Sequence, residues 1–268
     1  MLRHEPGRIL VTAHRGVSSA NIPCNTRTAF DIALAQGADI LELDVARSRD
    51  GQLFVFHPGM EKPHLGIDCS LSELSAAEIK ELRFLNQDNV PTSYGIVPLE
   101  EMFAHLRDKA YINVDKFWMW MEEITHAIRR SGVEKQVIVK TPGELQYLEQ
   151  VEKVAPDLMY MPVVYHKDEF TCHALEKNIA YIGVEAIFAS DNEEIVSDAY
   201  IDRMHKQGLM LFGNAIVYNE KANISAGHTD DIALKGNPDF GWGWFAEKKF
   251  DIIQTDWCAM LKGYLANR

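Results

Sequence analysis

Two histidines at the ends of apolar runs are the first residues of this sequence that can do chemistry. His14 follows one run and begins the tripeptide His-Arg-Gly, and His57 follows another run and precedes Pro-Gly. Imidazole titrates near neutral pH, so a pair of histidines can supply a general acid and a general base. The alternative is that each histidine is a structural residue with satisfied hydrogen bonds. We expect the catalytic role because the two histidines flank a pair of carboxylates, but the sequence does not assign which one is the acid.

A pair of carboxylates lies between these histidines in the chain. Glu42 and Asp44 occupy one apolar run, and residues two apart on a strand point to the same face. Adjacent carboxylates repel each other unless a cation lies between them, and oxygen ligands suit Mg²⁺, Ca²⁺ or Mn²⁺. Asp115, at the end of a later run, is a candidate third ligand for such an ion. The alternative is ion pairing of the carboxylates with nearby basic residues: Arg15, Arg47 or Lys116.

Two basic residues next to these groups can bind an anion. Arg15 offers a planar fork that matches phosphate oxygens, and Lys116 offers a point charge. The chain as a whole is acidic, with a net charge of −12 over 268 residues, so an anionic substrate would need such local cations. The same charge argues against a nucleic-acid binder, which needs a basic face, and against a polybasic membrane-surface protein.

The apolar and cysteine content indicates a globular protein of a reducing compartment. Hydrophobic residues make up 47% of the chain, enough for a sizeable core, and no run approaches the length of a membrane span. None of the four cysteines lies in a Cys-x-x-Cys pair, which argues against a zinc cluster or a dithiol motif. The first residues lack the long apolar stretch of a signal peptide. We therefore expect a cytoplasmic protein without a transmembrane segment, although a processed mature chain would have the same features.

The candidate residues must be positioned by an alternation of short apolar runs and helical patterns. Continuous apolar runs are typical of parallel strands covered on both faces. If the third run extends the second strand, eight strand–helix units remain, which predicts a (β/α)8 TIM barrel; a doubly wound open sheet is the alternative. In a barrel the C-terminal strand ends form the catalytic face, so the candidate residues would converge there. The predicted strands are Ile9–Ala13, Ile40–Val45, Leu53–Phe56, Tyr111–Val114, Gln136–Lys140, Tyr160–Val164, Ala180–Val184, Leu209–Phe212 and Asp251–Gln254.

One long polar stretch interrupts the alternation. Residues 59–97 carry only a weak helical pattern, Leu74–Leu85, and a turn signal at Asn89-Val90-Pro91. We interpret this stretch as a small insertion after the second strand, which can wall a substrate cleft. The whole chain, residues 1–268, is then predicted to form a single barrel domain. Helices are predicted elsewhere after Asn25 or Thr26 and at Glu144–Val154, Glu169–Lys177, Glu193–Gln207 and Trp257–Ala266.

Taken in order, the motifs of residues 12–57 resemble those of the glycerophosphodiester phosphodiesterase family. The sequence reads His-Arg-Gly, then Pro-Cys-Asn-Thr, then Gly-Ala-Asp-Ile-Leu-Glu-Leu-Asp-Val, then Ser-Arg-Asp-Gly-Gln-Leu-Phe-Val-Phe-His. The usual family pattern is HRG, PENT, E-x-D on the second strand, a DG turn and a second histidine. The similarity continues more loosely at Val97–Glu101, at the Asn-Val-Asp-Lys segment and at Ile253–Asp256. Each piece alone is weak evidence, and the ordered set is strong.

This resemblance implies a fold, an activity and roles for individual residues. It implies a (β/α)8 barrel with a small insertion after the second strand and a metal-dependent phosphodiesterase activity. The acid–base pair would be His14 and His57, and Arg15 would contact the phosphate. Glu42 and Asp44 would be metal ligands, with Asp115 as the third carboxylate and Lys116 beside it to neutralise phosphate.

The sequence departs from the family pattern at three places. Cys24 stands where the PENT motif has its glutamate, which removes a negative charge at the metal end of the site. Asp115 stands where the family usually has a glutamate, and its side chain is one methylene shorter. His57 is followed by Pro-Gly rather than by the commoner aspartate. These differences indicate a divergent branch of the family. No nearby feature activates the Cys24 thiol, so we interpret it as a replacement residue rather than a nucleophile.

The predicted function is hydrolysis of glycerophosphodiesters to glycerol phosphate and an alcohol, with one divalent cation, Mg²⁺ or Ca²⁺, or alternatively Mn²⁺. The nucleophile is water or the substrate's own neighbouring hydroxyl, and the second route forms a cyclic phosphate first. Two other functions stay open. One is a phospholipase-like lyase that stops at the cyclic phosphate, and the other is a weakly catalytic barrel that binds phosphate metabolites. The alcohol substituent and the oligomeric state are not determined by the sequence.

Overall fold

A closed barrel of parallel strands forms the centre of the protein. The computed structural model describes residues 1–217 and 221–268. Nine of its strands pair in parallel, in the order β6-β5-β4-β2-β1-β10-β9-β8-β7, and β3 pairs antiparallel with β2. The strands are β1 (Leu10–Ala13), β2 (Ile40–Arg47), β3 (Leu53–Val55), β4 (Tyr111–Asp115), β5 (Val137–Val139), β6 (Met159–Tyr160), β7 (Val163–Tyr165), β8 (Gly183–Ile187), β9 (Met210–Asn214) and β10 (Ile252–Thr255).

The two ends of this strand order are halves of one barrel strand. Only Met161 and Pro162 separate β6 from β7; β6 pairs with β5, and β7 pairs with β8. Pro162 has no amide hydrogen for the ladder, which accounts for the break. The Pro162 carbonyl still accepts a bond from the Glu185 amide at 2.9 Å, so the sheet closes across the gap. The barrel therefore has eight strand positions, which confirms the predicted (β/α)8 fold and excludes the open sheet.

Helices cover the outside of the barrel. The Thr26 hydroxyl accepts a bond from the Ala29 amide at 3.2 Å and thereby caps the first helix. Across the described residues, no helix is both long and apolar enough to span a membrane. The helices are α1 (Arg27–Ala35), α2 (Glu61–Leu65), α3 (Ala76–Glu81), α4 (Leu99–Leu106), α5 (Met121–Ser131), α6 (Leu145–Val154), α7 (Thr171–Leu175), α8 (Asp198–Lys206), α9 (Asp230–Leu234), α10 (Trp244–Glu247) and α11 (Cys258–Ala266).

The barrel interior has an apolar half and a polar half. Because side chains alternate along a strand, residues of one parity on each strand point inward. Near the N-terminal strand ends these inward residues are apolar and pack as one cluster that includes Leu10, Ile40 and Ile252. Two residues further along the same strands the inward positions are polar: Thr12, Glu42 and Gln254. This polar layer lies directly beneath the C-terminal strand ends.

The third predicted strand turns back along the second instead of extending it. A turn closed by Ser48 and containing Gly51 reverses the chain, and β3 runs antiparallel to β2. The following residues, up to α4, form a small layer with its own apolar cluster around Phe56, Ile79 and Phe84. The weak helical pattern predicted at Leu74–Leu85 corresponds to the shorter helix α3.

Candidate active site

Three carboxylates meet at the C-terminal ends of β2 and β4. The parallel register sets Asp44 directly opposite Asp115 and Glu42 directly opposite Asn113. Glu42, Asp44 and Asp115 each offer a carboxylate oxygen within 4.8 Å of the others. The side chains of Glu42 and Asp44 are buried. The fold thus brings together the three carboxylates that the sequence analysis grouped, at the end of the barrel where they were expected.

The His-Arg-Gly segment forms a tight turn that turns its groups toward the carboxylates. Arg15 has a positive φ of 56°, and its amide donates to Glu42 Oε2 at 2.9 Å. Gly16 follows with a φ of 78°, and a methyl group added there would lie 2.8 Å from the Ala29 carbonyl carbon. Only glycine fits this turn, because the chain passes so close to helix α1.

The Pro-Cys-Asn-Thr segment supports the same carboxylates from below. The buried Asn25 donates from Nδ2 to Asp44 Oδ2 at 3.0 Å, and its Oδ1 accepts from the Asp44 amide at 3.4 Å. Asn25 has a φ of 58°, a left-handed conformation that asparagine tolerates better than most residues. The asparagine of this motif therefore orients Asp44, and Thr26 begins α1. The sequence analysis had treated both only as helix caps.

Cys24 lies beside this cluster as a neutral thiol. Burial raises the pKa of the Cys24 thiol to about 12, despite the nearby positive charge of Arg15. A thiol with so high a pKa carries almost no thiolate at neutral pH, and the thiolate is the nucleophilic form. This environment agrees with the expectation that Cys24 replaces a charged family residue without taking over its chemistry.

The electrostatics of the cluster favour a bound cation. Burial, together with the charges of Asp44 and Asp115, raises the pKa of Glu42 to about 7. Burial acts the same way on Asp115, but Lys140 and Lys116 outweigh it and lower the pKa of Asp115 to about 2. The buried Asp44 Oδ1 has no hydrogen-bond partner among the described residues. An unpartnered carboxylate oxygen beside two further carboxylates is the donor set of a hard divalent cation, so the residues present fit such an ion.

Two of the basic residues form the ion pairs that the alternative interpretation predicts. Arg15 Nε lies 3.0 Å from Asp44 Oδ2, without hydrogen-bond geometry. Lys116 Nζ donates to Asp115 Oδ2 at 2.8 Å and lies 5.2 Å from the centroid of the Trp118 ring. Arg47 instead pairs with Glu123 at 3.5 Å, away from the carboxylates. The site thus contains acidic and basic groups in direct contact.

The two histidines contact different carboxylates. His14 Nδ1 lies 2.9 Å from Asp256 Oδ1; burial opposes protonation, but Asp256 and Glu42 outweigh it and raise the pKa of His14. His57 Nε2 lies 3.8 Å from Asp44 Oδ1. Burial lowers the pKa of His57. The charge of Asp44 raises this pKa, but the charges of Arg15 and Lys116 lower it further.

Asp256 and Asp230 complete the surroundings of His14, and the sequence analysis did not assign them this role. Asp256 directly follows β10, and its amide donates to Asp230 Oδ2 at 2.9 Å. Asp230 also accepts bonds from Thr255 Oγ1 and Trp242 Nε1, each at 2.7 Å. Burial raises the pKa of Asp230 to about 7. The one available signal was the position of Asp256 at a C-terminal strand end.

A chain of polar side chains crosses the barrel beneath the carboxylates. Lys140 Nζ donates to Glu185 Oε2 at 2.6 Å, and Asn214 Nδ2 donates to Glu185 Oε1 at 2.8 Å. Burial disfavours the charged lysine, but Glu185, Asp115 and Glu42 outweigh it and raise the pKa of Lys140. Lys140 is therefore a fixed positive charge under the acidic cluster. A cleft of about 650 Å³ on the His14 side of the site is lined by His14, Arg15, Cys24, Asp256, Trp257 and Met260.

A barrel with a histidine–carboxylate site at its C-terminal strand ends is an architecture typical of enzymes. Comparison with known proteins identifies the family to which the chain belongs. A glycerophosphodiester phosphodiesterase of Bacillus altitudinis is 51% identical over 210 residues, which cover 72% of this chain and 82% of that protein. One from Caldanaerobacter subterraneus subsp. tengcongensis is 31% identical over 166 residues, 56% of this chain and 65% of the relative, a little under two thirds of its length.

The chain belongs to the glycerophosphodiester phosphodiesterase family. A family model described as a domain of unknown function, DUF4996, also matches residues 160–265.

Solved structures share the fold. A glycerophosphoryl diester phosphodiesterase of Parabacteroides distasonis superposes with a TM-score of 0.81 at 20% identity, covering 99% of this chain and 89% of that one. A phosphodiesterase of Oleispira antarctica, solved with its product sn-glycerol-3-phosphate, superposes with a TM-score of 0.68 at 16% identity, covering 97% of each chain. At these identities the similarity supports the barrel fold.

Proposed function

We propose that this protein hydrolyses glycerophosphodiesters to glycerol phosphate and an alcohol, with the help of one divalent cation. The observation that carries the proposal is the meeting of three carboxylates within 4.8 Å of one another, between two histidines and beside two basic side chains. Family membership and the glycerol phosphate bound to the Oleispira antarctica protein support the substrate class.

The cation would be held by Glu42, Asp44 and Asp115. Their all-oxygen donor set suits Mg²⁺ or Ca²⁺, with Mn²⁺ as an alternative. Two observations support this assignment: Asp44 Oδ1 is buried without a hydrogen-bond partner among the described residues, and burial beside two carboxylates raises the pKa of Glu42. When bound, such an ion polarises the phosphoryl oxygens.

Arg15 and Lys116 would bind the phosphate. Arg15 lies at the rim of the cleft, where its guanidinium can turn two donors toward phosphate oxygens. Lys116 is held over Trp118, and its ammonium group contacts Asp115, one of the carboxylates that would hold the cation. Both side chains stabilise negative charge that develops on the phosphoryl oxygens in the transition state.

We assign the general acid to His14 and the general base to His57. The Asp256 carboxylate favours the protonated form of His14, the form that an acid needs before it reacts. Within residues 1–217 and 221–268, no carboxylate lies at hydrogen-bond distance from His57, whose contact to Asp44 is 3.8 Å. His57 takes a proton from the nucleophile as its oxygen bonds to phosphorus. The bond to the leaving oxygen breaks, and His14 gives that alkoxide its proton.

The experiment is a substrate screen with phosphorus NMR as the readout. The protein is stripped with EDTA, dialysed, and given Mg²⁺, Ca²⁺ or Mn²⁺ in separate samples with glycerophosphodiesters, lysophospholipids or cyclic phosphodiesters. We expect no turnover without a cation and glycerol phosphate with at least one. Full activity in the stripped protein would contradict the cation role.

The same spectra distinguish the route. A transient cyclic phosphate that is then hydrolysed identifies the substrate hydroxyl as the nucleophile, whereas direct formation of glycerol phosphate identifies water. Accumulation of the cyclic product as the final species would replace the hydrolase by a lyase. Binding of glycerol phosphate with no turnover under any condition would contradict the enzymatic proposal.

A further inference from the structure

A second group of metal-ligating side chains lies at the opposite end of the barrel. His4 belongs to the segment before β1, His205 to the last turn of α8, and Asp251 directly precedes β10. His4 Nδ1 lies 2.6 Å from Asp251 Oδ1, and His205 Nε2 lies 3.0 Å from Asp251 Oδ2. Three parts of the chain that are remote in sequence therefore meet at one carboxylate.

The donor atoms of this group converge on a small volume. His4, His205 and Asp251 each offer one ligand atom within 4.8 Å of the others. The two imidazole rings are stacked, with centroids 3.6 Å apart and an interplanar angle of 11°. The two rings direct their nitrogens at different oxygens of one carboxylate, His4 at Oδ1 and His205 at Oδ2. Because an imidazole binds an ion in the plane of its ring, one ring rotates out of the stack when both nitrogens share an ion.

The surrounding backbone fixes these side chains in place. Asp251 is buried, and its Oδ2 also accepts from the Leu211 amide at 2.8 Å. The His4 amide donates to the Gly208 carbonyl at 3.2 Å, which ties the N-terminal segment to the end of α8. Support of this kind orients ligands in metal sites.

We propose that His4, His205 and Asp251 bind a transition-metal ion of the Zn²⁺ type. Imidazole nitrogen combined with one carboxylate suits zinc, whereas magnesium and calcium prefer oxygen ligands alone. Zinc–ligand distances of about 2.0–2.2 Å place tetrahedral ligand atoms roughly 3.3–3.5 Å apart. Each imidazole binds through the nitrogen that now faces Asp251 and carries its proton on its other nitrogen, and one ring rotates out of the stack.

An open cavity beside the group supplies access and a free coordination position. The cavity has a volume of about 1180 Å³ and is lined by His4, Glu5, Arg8, His205, Asp251 and Lys262. Three protein ligands leave one position of a tetrahedral ion for water from this cavity. Because catalysis in such barrels occurs at the other end, we assign the ion a stabilising role. It fastens the N-terminal segment to α8 and β10.

The test uses Co²⁺ as a spectroscopic probe of the site formed by His4, His205 and Asp251. The full-length protein is stripped, then saturated with Mg²⁺ to fill the oxygen site, and titrated with Co²⁺, whose tetrahedral complexes absorb strongly in the visible. We expect a visible band that saturates at one Co²⁺ per chain and disappears when Zn²⁺ is added. We also expect Zn²⁺ to raise the melting temperature of the Mg²⁺-saturated protein.

The variants His4→Gln and His205→Gln remove one ligand each, and His126→Gln changes an exposed histidine on α5 as the matched control. We expect both ligand variants to lose the visible band and the rise in melting temperature, and the control to keep them. If His205→Gln does not fold, the terminal His4→Gln carries the test alone.

An equal Zn²⁺ effect in all variants, or a weak octahedral Co²⁺ spectrum in the unaltered protein, overturns the proposal. Phosphodiester hydrolysis with Mg²⁺ is measured in the same samples and is expected to be unchanged in His4→Gln. Failure of the proposed hydrolysis therefore leaves the result for this second site independent.

Discussion

The two ends of the barrel use similar residues in opposite electrostatic states. At the C-terminal end, three carboxylates crowd together, and Asp44 Oδ1 lacks a hydrogen-bond partner among the described residues. At the N-terminal end, the single carboxylate of Asp251 accepts bonds at both oxygens, from His4, His205 and the Leu211 amide. Unsatisfied polar groups cost free energy when buried, so a fold retains them where they act on a ligand. Among the described residues, the C-terminal end of the barrel thus keeps a buried carboxylate oxygen without a partner, whereas the carboxylate at the N-terminal end joins three parts of the chain.

The largest effect is expected from the two histidines at the C-terminal end of the barrel, His14 and His57. We expect His14→Ala and His57→Ala each to lower kcat by about 10²–10⁴-fold, the range of general acid–base catalysis. Steady-state hydrolysis with saturating Mg²⁺ measures the effect, and His126→Ala is the control. His4→Ala, at the N-terminal end, should leave kcat near its original value. Near-normal turnover in both His14→Ala and His57→Ala would contradict the proposed acid–base pair. It would also leave no functional difference between the two ends of the barrel.

The next effect concerns the close packing of the His-Arg-Gly turn against helix α1. Gly16 and Gly208 both have positive φ, 78° and 72°, but only an added methyl group at Gly16 meets the backbone of α1. We expect Gly16→Ala to lower the free energy of unfolding by about 1–3 kcal/mol more than Gly208→Ala, because overpacking adds to the backbone strain that both share. Urea denaturation followed by circular dichroism measures the difference. Equal losses would show that the His-Arg-Gly turn tolerates the methyl group.

A smaller effect is expected in the pH dependence. The Asp256→Asn variant loses the carboxylate that raises the pKa of His14. A general acid works while it is protonated, so a lower pKa of His14 moves the alkaline limb of the kcat/KM profile to lower pH. The acidic limb, which we attribute to His57, should stay in place. Asp231→Asn, an exposed change on α9, is the control, and an unmoved alkaline limb would contradict the role of Asp256.

The smallest effect is expected at Cys24. Because burial raises the pKa of the Cys24 thiol to about 12, the side chain is neutral at working pH, and Cys24→Ser keeps a neutral group of similar size. We expect kcat to stay within about threefold of the original, since no thiolate chemistry is lost. The assay is the same steady-state hydrolysis. Loss of turnover in a folded Cys24→Ser protein would show that the thiol takes part in the reaction.

The sequence predicted the features that depend on local patterns. Apolar runs marked the barrel strands, and the polar residues at the ends of β1, β2 and β4 predicted that Glu42, Asp44 and Asp115 would meet. A barrel requires that strand ends converge, so correct strands were sufficient for this part of the site. The roles of these residues stay predictions until the variants are measured.

The sequence did not predict contacts that depend on how remote strands align. His14 and Asp256 are 242 positions apart and meet only because Ala13 pairs with Thr255 across β1 and β10. The apolar pattern also did not predict the break at Pro162, because it indicated one continuous strand over Tyr160–Val164. Apolar periodicity reports burial, whereas the ladder depends on which amides are present and which neighbour each strand has.

The pairing of β1 with β10 joins the first and the last strand that the ribosome makes, so this contact forms late in synthesis. The carboxylate that holds His14 is translated 242 residues after the histidine itself, a delay of about 10–50 s at ~5–20 residues per second. Until then the first strand has a free edge where its last neighbour will bind. A nascent chain on the ribosome therefore carries His14 without its partner Asp256, and the two residues meet only once β10 has been made.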